Sequence, residues 1–223
     1  MGGGLGASAL ARAMAERGAR VLVVEREERF RDRVRGEALS PWGVAEAKAL
    51  GIHELLATQC GNELRAWNIY AGGGPEPLIA RDLIETTPQR SGWLTFYHPA
   101  MQELVLEAAA RAGAEVRRGA RVLEVQPGRP PRVQIETEAG SEEIEARLVV
   151  GADGRGSMVR RAGQFSVARD PDRLLFSGVL FENFPAPSDA AFHAINPPLG
   201  RIALLFPQRA GRVRAYVGWH KDT

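Results

Sequence analysis

The residues that constrain this chain most lie at its start, where Gly2-x-Gly4-x-x-Ala7 opens a helical stretch. In such a pattern the first glycine permits a tight turn and the second lets the backbone approach a pyrophosphate. The third small residue lets a helix pack close to a strand. Leu10, Ala11, Met14 and Ala15 recur at helical spacing, and Gly18 is a natural stop. Arg20-Val21-Leu22-Val23-Val24-Glu25 follows, a short apolar run suited to a strand buried on both faces of a parallel sheet. Phosphates would rest on the first amides of the helix, at Leu5, where its dipole favours anions. Glu25 comes 23 residues after Gly2, with Arg26 beside it, and ends the strand. A carboxylate there is suited to accept hydrogen bonds from an adenosine ribose; a solvated strand-end acid is the plainer alternative. Together these features predict a dinucleotide-binding turn and leave the choice between NAD(P) and FAD open.

A chain of 223 residues has room for one large domain or one and a half. Its 44% hydrophobic and 25% charged residues are ordinary for a soluble core and surface, which excludes collagen-like, disordered and disulfide-stapled classes. Lys+Arg 29 against Asp+Glu 27 is too balanced for a nucleic-acid footprint, and lysine occurs only at Lys48 and Lys221. No apolar run approaches the roughly 18 residues of a membrane helix. The lone Cys60 allows no internal disulfide, and His53, His98, His193 and His220 are scattered without ligand spacing. No metal is expected. Without a secretory signal pattern, the cytoplasm is the default location.

Further along, residues 26 to 38 are dense in Arg and Glu and predict a solvent-facing segment. Ser40-Pro41 opens a helix, with Ser as N-cap. Strands are expected from Leu64 to Tyr70 and Leu78 to Leu83, with a break at 71–75. Pro99 starts an amphipathic helix closed by Gly113, and three strands follow at Val122–Val125, Val133–Thr137 and Ile144–Val150, the last two joined by a turn at 138–141. Beyond Phe165, strands are expected at Leu174–Phe181, Ile202–Phe206 and Val213–Trp219. Two α/β blocks thus alternate with two β-rich excursions, the layout of a two-lobed nucleotide-binding enzyme. The aromatics Trp67, Tyr70, Trp93, Phe96, Phe176 and Phe181 alternate within strands and read as packing.

A second motif narrows the cofactor. Leu148-Val149-Val150-Gly151-Ala152-Asp153-Gly154-Arg155-Gly156-Ser157-Met158-Val159-Arg160 closely resembles the Asp-Gly motif of the para-hydroxybenzoate hydroxylase-like, group A FAD-dependent monooxygenases. The resemblance implies that Asp153 and Gly154 lie at the FAD pyrophosphate and that Asp153 influences NAD(P)H use. Arg35-Gly36-Glu37 before Ser40-Pro41 is similar to the family's loop that brings an Arg to the flavin, which implies that role for Arg35. Residues 96–113 resemble the helix that begins with an Arg or Gln near the ribityl chain; this sequence has His98 there. Val122 matches the strand lining the adenine pocket.

The implied fold is α/β, a Rossmann-like FAD-binding domain of GR2 type with a β-rich substrate domain inserted. FAD-binding segments are expected at 1–63 and 96–164, and substrate-domain strands at 64–95 and 165–223. The family also has an apolar strand before the fingerprint and a Gly-Asp motif with a long helix downstream. Neither falls within these residues, so the chain is expected to be an incomplete version of the fold. The implied activity is hydroxylation of an aromatic or similar electron-rich small molecule, with FAD as cofactor and NAD(P)H and O2 as co-substrates. A reductase or halogenase on the same scaffold, a non-catalytic FAD-binding remnant and a plain NAD(P) dehydrogenase are the alternatives.

Overall fold

The computed structural model describes residues 1–33, 35–72 and 74–221. Val34 of the expected solvent-facing segment, Gly73 of the expected break, and Asp222 and Thr223 of the last expected segment lie outside the described residues. In chain order the elements begin with α1 (Leu5–Ala15), β1 (Leu22–Val24), β2 (Ala38–Leu39), α2 (Pro41–Ala49), α3 (His53–Gln59), β3 (Gly61–Leu64) and β4 (Ala66–Ala71). They continue with β5 (Ile79–Asp82), α4 (Leu83–Thr86), β6 (Trp93–Phe96), α5 (His98–Arg111), β7 (Glu115–Arg117), β8 (Arg121–Gln126), β9 (Arg132–Thr137) and β10 (Gly140–Glu145). The last are α6 (Met158–Ala162), β11 (Leu174–Phe181), β12 (Ala190–Asn196), β13 (Arg201–Pro207) and β14 (Val213–His220). None of the described helices is long and apolar enough to cross a membrane.

Two compact units result. The first joins Met1–Arg31 to Gln102–Arg169, and the second joins Asp32–Met101 to the residues from Asp170 onward. Residues 32–63 therefore group with the later strands rather than with the fingerprint.

In the first unit β1 pairs in parallel with β7, Val23 opposite Val116. As its uninterrupted apolar run implied, β1 is packed on both faces, because successive side chains point to opposite sides. Val23 packs with Ala11 of α1 and with Leu106, Ala109 and Ala114. Val24 packs on the other side with Ala120 and with Val125, Val133 and Ile135 of the β8–β9–β10 meander. The third meander strand is a correction to the sequence expectation. It runs over Gly140–Glu145, pairing Gly140 with Thr137, so the turn is only Glu138-Ala139 and the apolar run 148–150 lies outside any strand. Leu148 is 73% exposed. A run of apolar residues cannot by itself supply the neighbouring backbone that a strand needs.

In the second unit a six-stranded sheet has the order β11-β14-β13-β12-β4-β5, antiparallel except where β12 meets β4. A smaller sheet has the order β2-β6-β3. The stretch expected as one strand from Leu64 is divided between them, with Leu64 ending β3 and Ala66 opening β4. Asp82 ends β5 and accepts from the Ile84 amide at 2.9 Å, which turns the chain into α4. Ser40 is the N-cap residue of α2, but its side chain makes no capping hydrogen bond. The strand β12 had no counterpart in the sequence expectation, although it sits inside the sheet.

Leu64, Ala191 and Phe206 form the buried centre of this unit, with Trp67, Trp93, Leu204 and Tyr216 around them. Within this aromatic group Trp67 Nε1, Trp93 Nε1 and His193 Nε2 are buried without hydrogen-bond partners. The His193 and Trp67 rings meet in a T-shaped contact, with centroids 5.3 Å apart. Burial drives the His193 pKa from its ordinary 6.5 down to about 4. Between those values the unfolded chain binds a proton that the folded chain refuses, so stability falls as pH drops through that interval. The denaturant midpoint should therefore decline more steeply from pH 7 to pH 5 in the parent than in His193→Phe. Parallel declines in the two proteins would refute this source of acid sensitivity. Cys60 is half-buried, and burial pushes its thiol up to about 11, which keeps it protonated and poorly nucleophilic at neutral pH.

Candidate dinucleotide site

The first unit brings its two glycine-rich turns together through residues 1 and 2. The Gly2 amide donates to the Val24 carbonyl at 2.9 Å, and the Ala152 amide donates to the Met1 carbonyl at 2.9 Å. Gly2 has φ +86, and a Cβ there would run into the Ala152 carbonyl, so only glycine lets the two segments lie this close. The Gly2–Ala7 turn thus sits beside the turn that begins at Gly151.

Gly4 is the N-cap of α1, and neither a capping side chain nor an acidic residue occupies its first turn. Intrahelical bonding starts with the Ser8 amide on the Gly4 carbonyl at 2.9 Å. Helix geometry leaves the amides before it, at Leu5, Gly6 and Ala7, without intrahelical acceptors. A Cβ at Gly4 or Gly6 would meet no atom within 4 Å, so this helix end is open on its outer side. Partial positive charge, free amides and open space are what an anion needs.

Glu25 is 8% exposed and turns back on the fingerprint instead of lying in solvent. Its Oε2 accepts from the Gly3 amide at 2.5 Å, and its Oε1 accepts from the Glu27 amide at 2.9 Å. Each oxygen retains acceptor capacity for a hydroxyl donor. Arg26 is exposed and pairs with Glu27 at 3.4 Å. Val122 is half-buried against the Val24–Ile135 cluster.

Asp153 has a structural task that the motif did not announce. Its Oδ1 accepts from the Ser157 hydroxyl at 2.5 Å, and its Oδ2 accepts from the Met158 amide at 2.6 Å, so it anchors the start of α6. Burial alone would raise its pKa, but these hydrogen bonds outweigh it and hold the carboxyl below its ordinary value. Gly154 follows with φ +78 and open space at its Cβ position.

Arg35 and His98 belong to the second unit. Arg35 is exposed, and its carbonyl accepts from the Tyr216 hydroxyl at 2.7 Å. His98 Nδ1 lies 3.0 Å from the Gly36 carbonyl, and its pKa is lowered chiefly by burial. Here the structure also corrects the expectation of a uniformly solvent-facing segment, because Glu37 is 2% exposed and paired with Arg214. The sequence gives no sign that Glu37 pairs with Arg214 or that Tyr216 binds this loop, since no local pattern links residues 177 positions apart.

The model of a family described as FAD binding domain matches residues 1–223. The chain belongs to the FAD-binding domain family. FAD is therefore the cofactor of this family, and an open helix end with a buried carboxylate beside it, as α1 and Glu25 provide, fits such a group. No curated protein sequence matches the chain. Among solved structures, Pseudomonas aeruginosa PqsL in complex with 2-aminobenzoylacetate superposes with TM-score 0.81 at 25% identity, covering 99% of this chain and 60% of that one. The p-nitrophenol 4-monooxygenase PnpA of Pseudomonas putida gives 0.78 at 21%, covering 99% and 56%. A geranylgeranyl bacteriochlorophyll reductase-like protein of Thermoplasma acidophilum gives 0.79 at 23%, covering 99% and 55%. The last two share the fold alone. This FAD-binding chain thus spans about 60% of the length of PqsL.

Proposed function

We propose that the chain is the FAD-binding portion of a flavin-dependent monooxygenase that hydroxylates an aromatic or similar electron-rich small molecule with NAD(P)H and O2. The observation that carries this reading is the meeting of two motifs in one unit. The open α1 terminus and the Glu25 carboxylate lie beside the Asp153-Gly154 turn, joined through Met1 and Gly2. The similarity to PqsL, a structure holding 2-aminobenzoylacetate, supports the aromatic substrate class.

When bound, FAD supplies the redox chemistry, taking electrons from NAD(P)H and passing them to O2. The protein's part is to bind, orient and shield. Gly2, Gly4, Leu5 and Ala7 would hold the pyrophosphate, Glu25 the ribose, Arg26 and Val122 the adenosine side, and Asp153 with Gly154 the turn beside the diphosphate. Arg35 and His98 would serve the flavin end. Residues 1–63 and 96–164 are assigned to FAD binding and 64–95 and 165–223 to the substrate side, in a cytoplasmic enzyme. The reductase reading keeps one supporting observation, the similar fold of the geranylgeranyl bacteriochlorophyll reductase-like protein.

The test is consumption of NADH or NADPH by the FAD-loaded chain, with and without 2-aminobenzoylacetate or p-nitrophenol. Stimulated oxidation with a hydroxylated product is the expected outcome. Reduction of an isoprenoid alkene without oxygen incorporation would move the assignment to the reductase. A chain that neither retains FAD nor oxidises NAD(P)H would contradict an enzymatic role for these residues.

A further inference from the structure

The described residues between Asp32 and Glu37 are charged or glycine, and one strand of the second unit holds three of them. The Arg214 side chain is 3% exposed and pairs through Nε with the Glu37 carboxylate, itself 0% exposed. Its Nη2 pairs with Asp32 Oδ1 at 2.7 Å. Tyr216, two residues along β14 and so on the same face, donates its hydroxyl to the Arg35 carbonyl at 2.7 Å. The same hydroxyl lies 3.3 Å from Glu37 Oε2, and the Gln208 amide nitrogen lies 3.4 Å from that oxygen. Asp32, Arg35 and Glu37 are thus fastened to β14 by a carboxylate, a backbone carbonyl and a second carboxylate. A segment with few apolar contacts opens readily unless other bonds restrain it. The Arg214–Glu37 bond is buried, a low-dielectric setting in which polar bonds are strong, while the Tyr216–Arg35 bond lies on the exposed side of the segment.

We propose that Arg214 and Tyr216 are positioning residues that fix the backbone at Arg35, and through it the Arg35 side chain for its work at the flavin. The second clause rests on the assignment of Arg35 to the flavin; the fastening of the backbone does not. Tyr216 is the sharper probe, because Tyr216→Phe removes one hydroxyl and leaves the ring in its packing with Phe206, whose centroid is 6.1 Å away.

Two readouts on the whole chain separate the clauses. Tryptic cleavage after Arg35, measured by mass spectrometry against cleavage after the exposed Arg147 of the first unit, reports local opening. Loss of one hydrogen bond of about 1 kcal/mol should raise that ratio about fivefold in Tyr216→Phe, with the thermal midpoint lowered by only about 2–4 °C. A ratio unchanged within about twofold would overturn the fastening. FAD titration of the parent, Tyr216→Phe, Arg35→Ala and the double variant reports positioning. Tyr216→Phe should weaken FAD binding in the parent and add nothing once Arg35 is gone, the coupling expected of residues that act through one another. Equal losses in both backgrounds, or no loss in either, would overturn the positioning of Arg35 while leaving FAD binding intact. If no variant and not the parent bound FAD, the cofactor reading would fail, and the cleavage ratio would still decide the fastening.

Discussion

Replacing Arg214 by Met should destabilise the second unit by about 3–5 kcal/mol at pH 7, the cost of stranding one partner of a buried ion pair. Glu37 would keep only its weaker neighbours, the Tyr216 hydroxyl at 3.3 Å and the Gln208 amide at 3.4 Å. Burial already raises the Glu37 pKa, and the hydrogen bond and charge of Arg214 oppose that rise. Without Arg214 the folded pKa climbs further above the unfolded value. The folded chain then binds more protons than the unfolded chain between the two, so stability falls as pH rises through that window. The deficit of Arg214→Met should accordingly shrink on acidification toward pH 5, as Glu37 takes up a proton. The double variant Arg214→Met/Glu37→Gln should recover part of the loss, because no charge is left buried alone. Urea unfolding of the parent, Arg214→Met and the double variant at pH 7 and pH 5 measures all three effects. A single variant within 1 kcal/mol of the parent at pH 7, or a double variant less stable than Arg214→Met, would contradict this description of the pair.

The same pair shows where sequence reading stops. Elements fixed by local chemistry were legible. The glycine pattern and alanine-rich run anticipated α1, the apolar run 21–24 anticipated β1, and the helical spacing after Pro99 anticipated α5, which begins one residue earlier at His98. What depends on distant partners was not legible. Glu37 stands among exposed Arg and Glu residues, and only Arg214, from the far end of the chain, makes it a buried one. The segment Ala190–Asn196 has little β-branched content, yet it becomes a central strand because β4 and β13 supply backbone on both sides. Leu148-Val149-Val150 errs in the opposite direction. Its composition suits a strand, but it joins none; Val149 packs against the Val24–Ile135 cluster, and the Met1 amine donates to the Val150 carbonyl at 2.8 Å. At the candidate dinucleotide site the fingerprint and Glu25 are the features that spacing points to. That the Glu25 carboxylate folds onto Gly3, and that Asp153 spends its oxygens on α6, follows from the tertiary fold and not from spacing.

The two fingerprint glycines should respond differently to substitution, and that difference bears on the proposed cofactor site. Gly2 is needed for packing, since its φ of +86 and the nearby Ala152 carbonyl reject a side chain whether or not a ligand is present. Gly4 has φ −70, which any residue can adopt, and empty space around its Cβ position. Nothing in the folded chain requires glycine there, so on the proposed reading its place is set by what binds. Asp is among the best N-cap residues, and a carboxylate at this end of α1 interacts favourably with the helix dipole. Gly4→Asp should therefore leave stability unchanged or raise it by a few tenths of a kcal/mol. A fixed negative charge at the position meant for a pyrophosphate should at the same time weaken FAD binding about 100-fold, equivalent to about 2.7 kcal/mol.

Titration of FAD into the parent chain and Gly4→Asp, followed by flavin fluorescence with the thermal midpoint of each protein recorded alongside, tests this site most directly. Saturable one-to-one binding by the parent, lost in a Gly4→Asp chain that melts no lower, is the expected result. Equal FAD affinity in the two proteins, or a parent that binds no FAD, would contradict the placement of the cofactor at the head of α1.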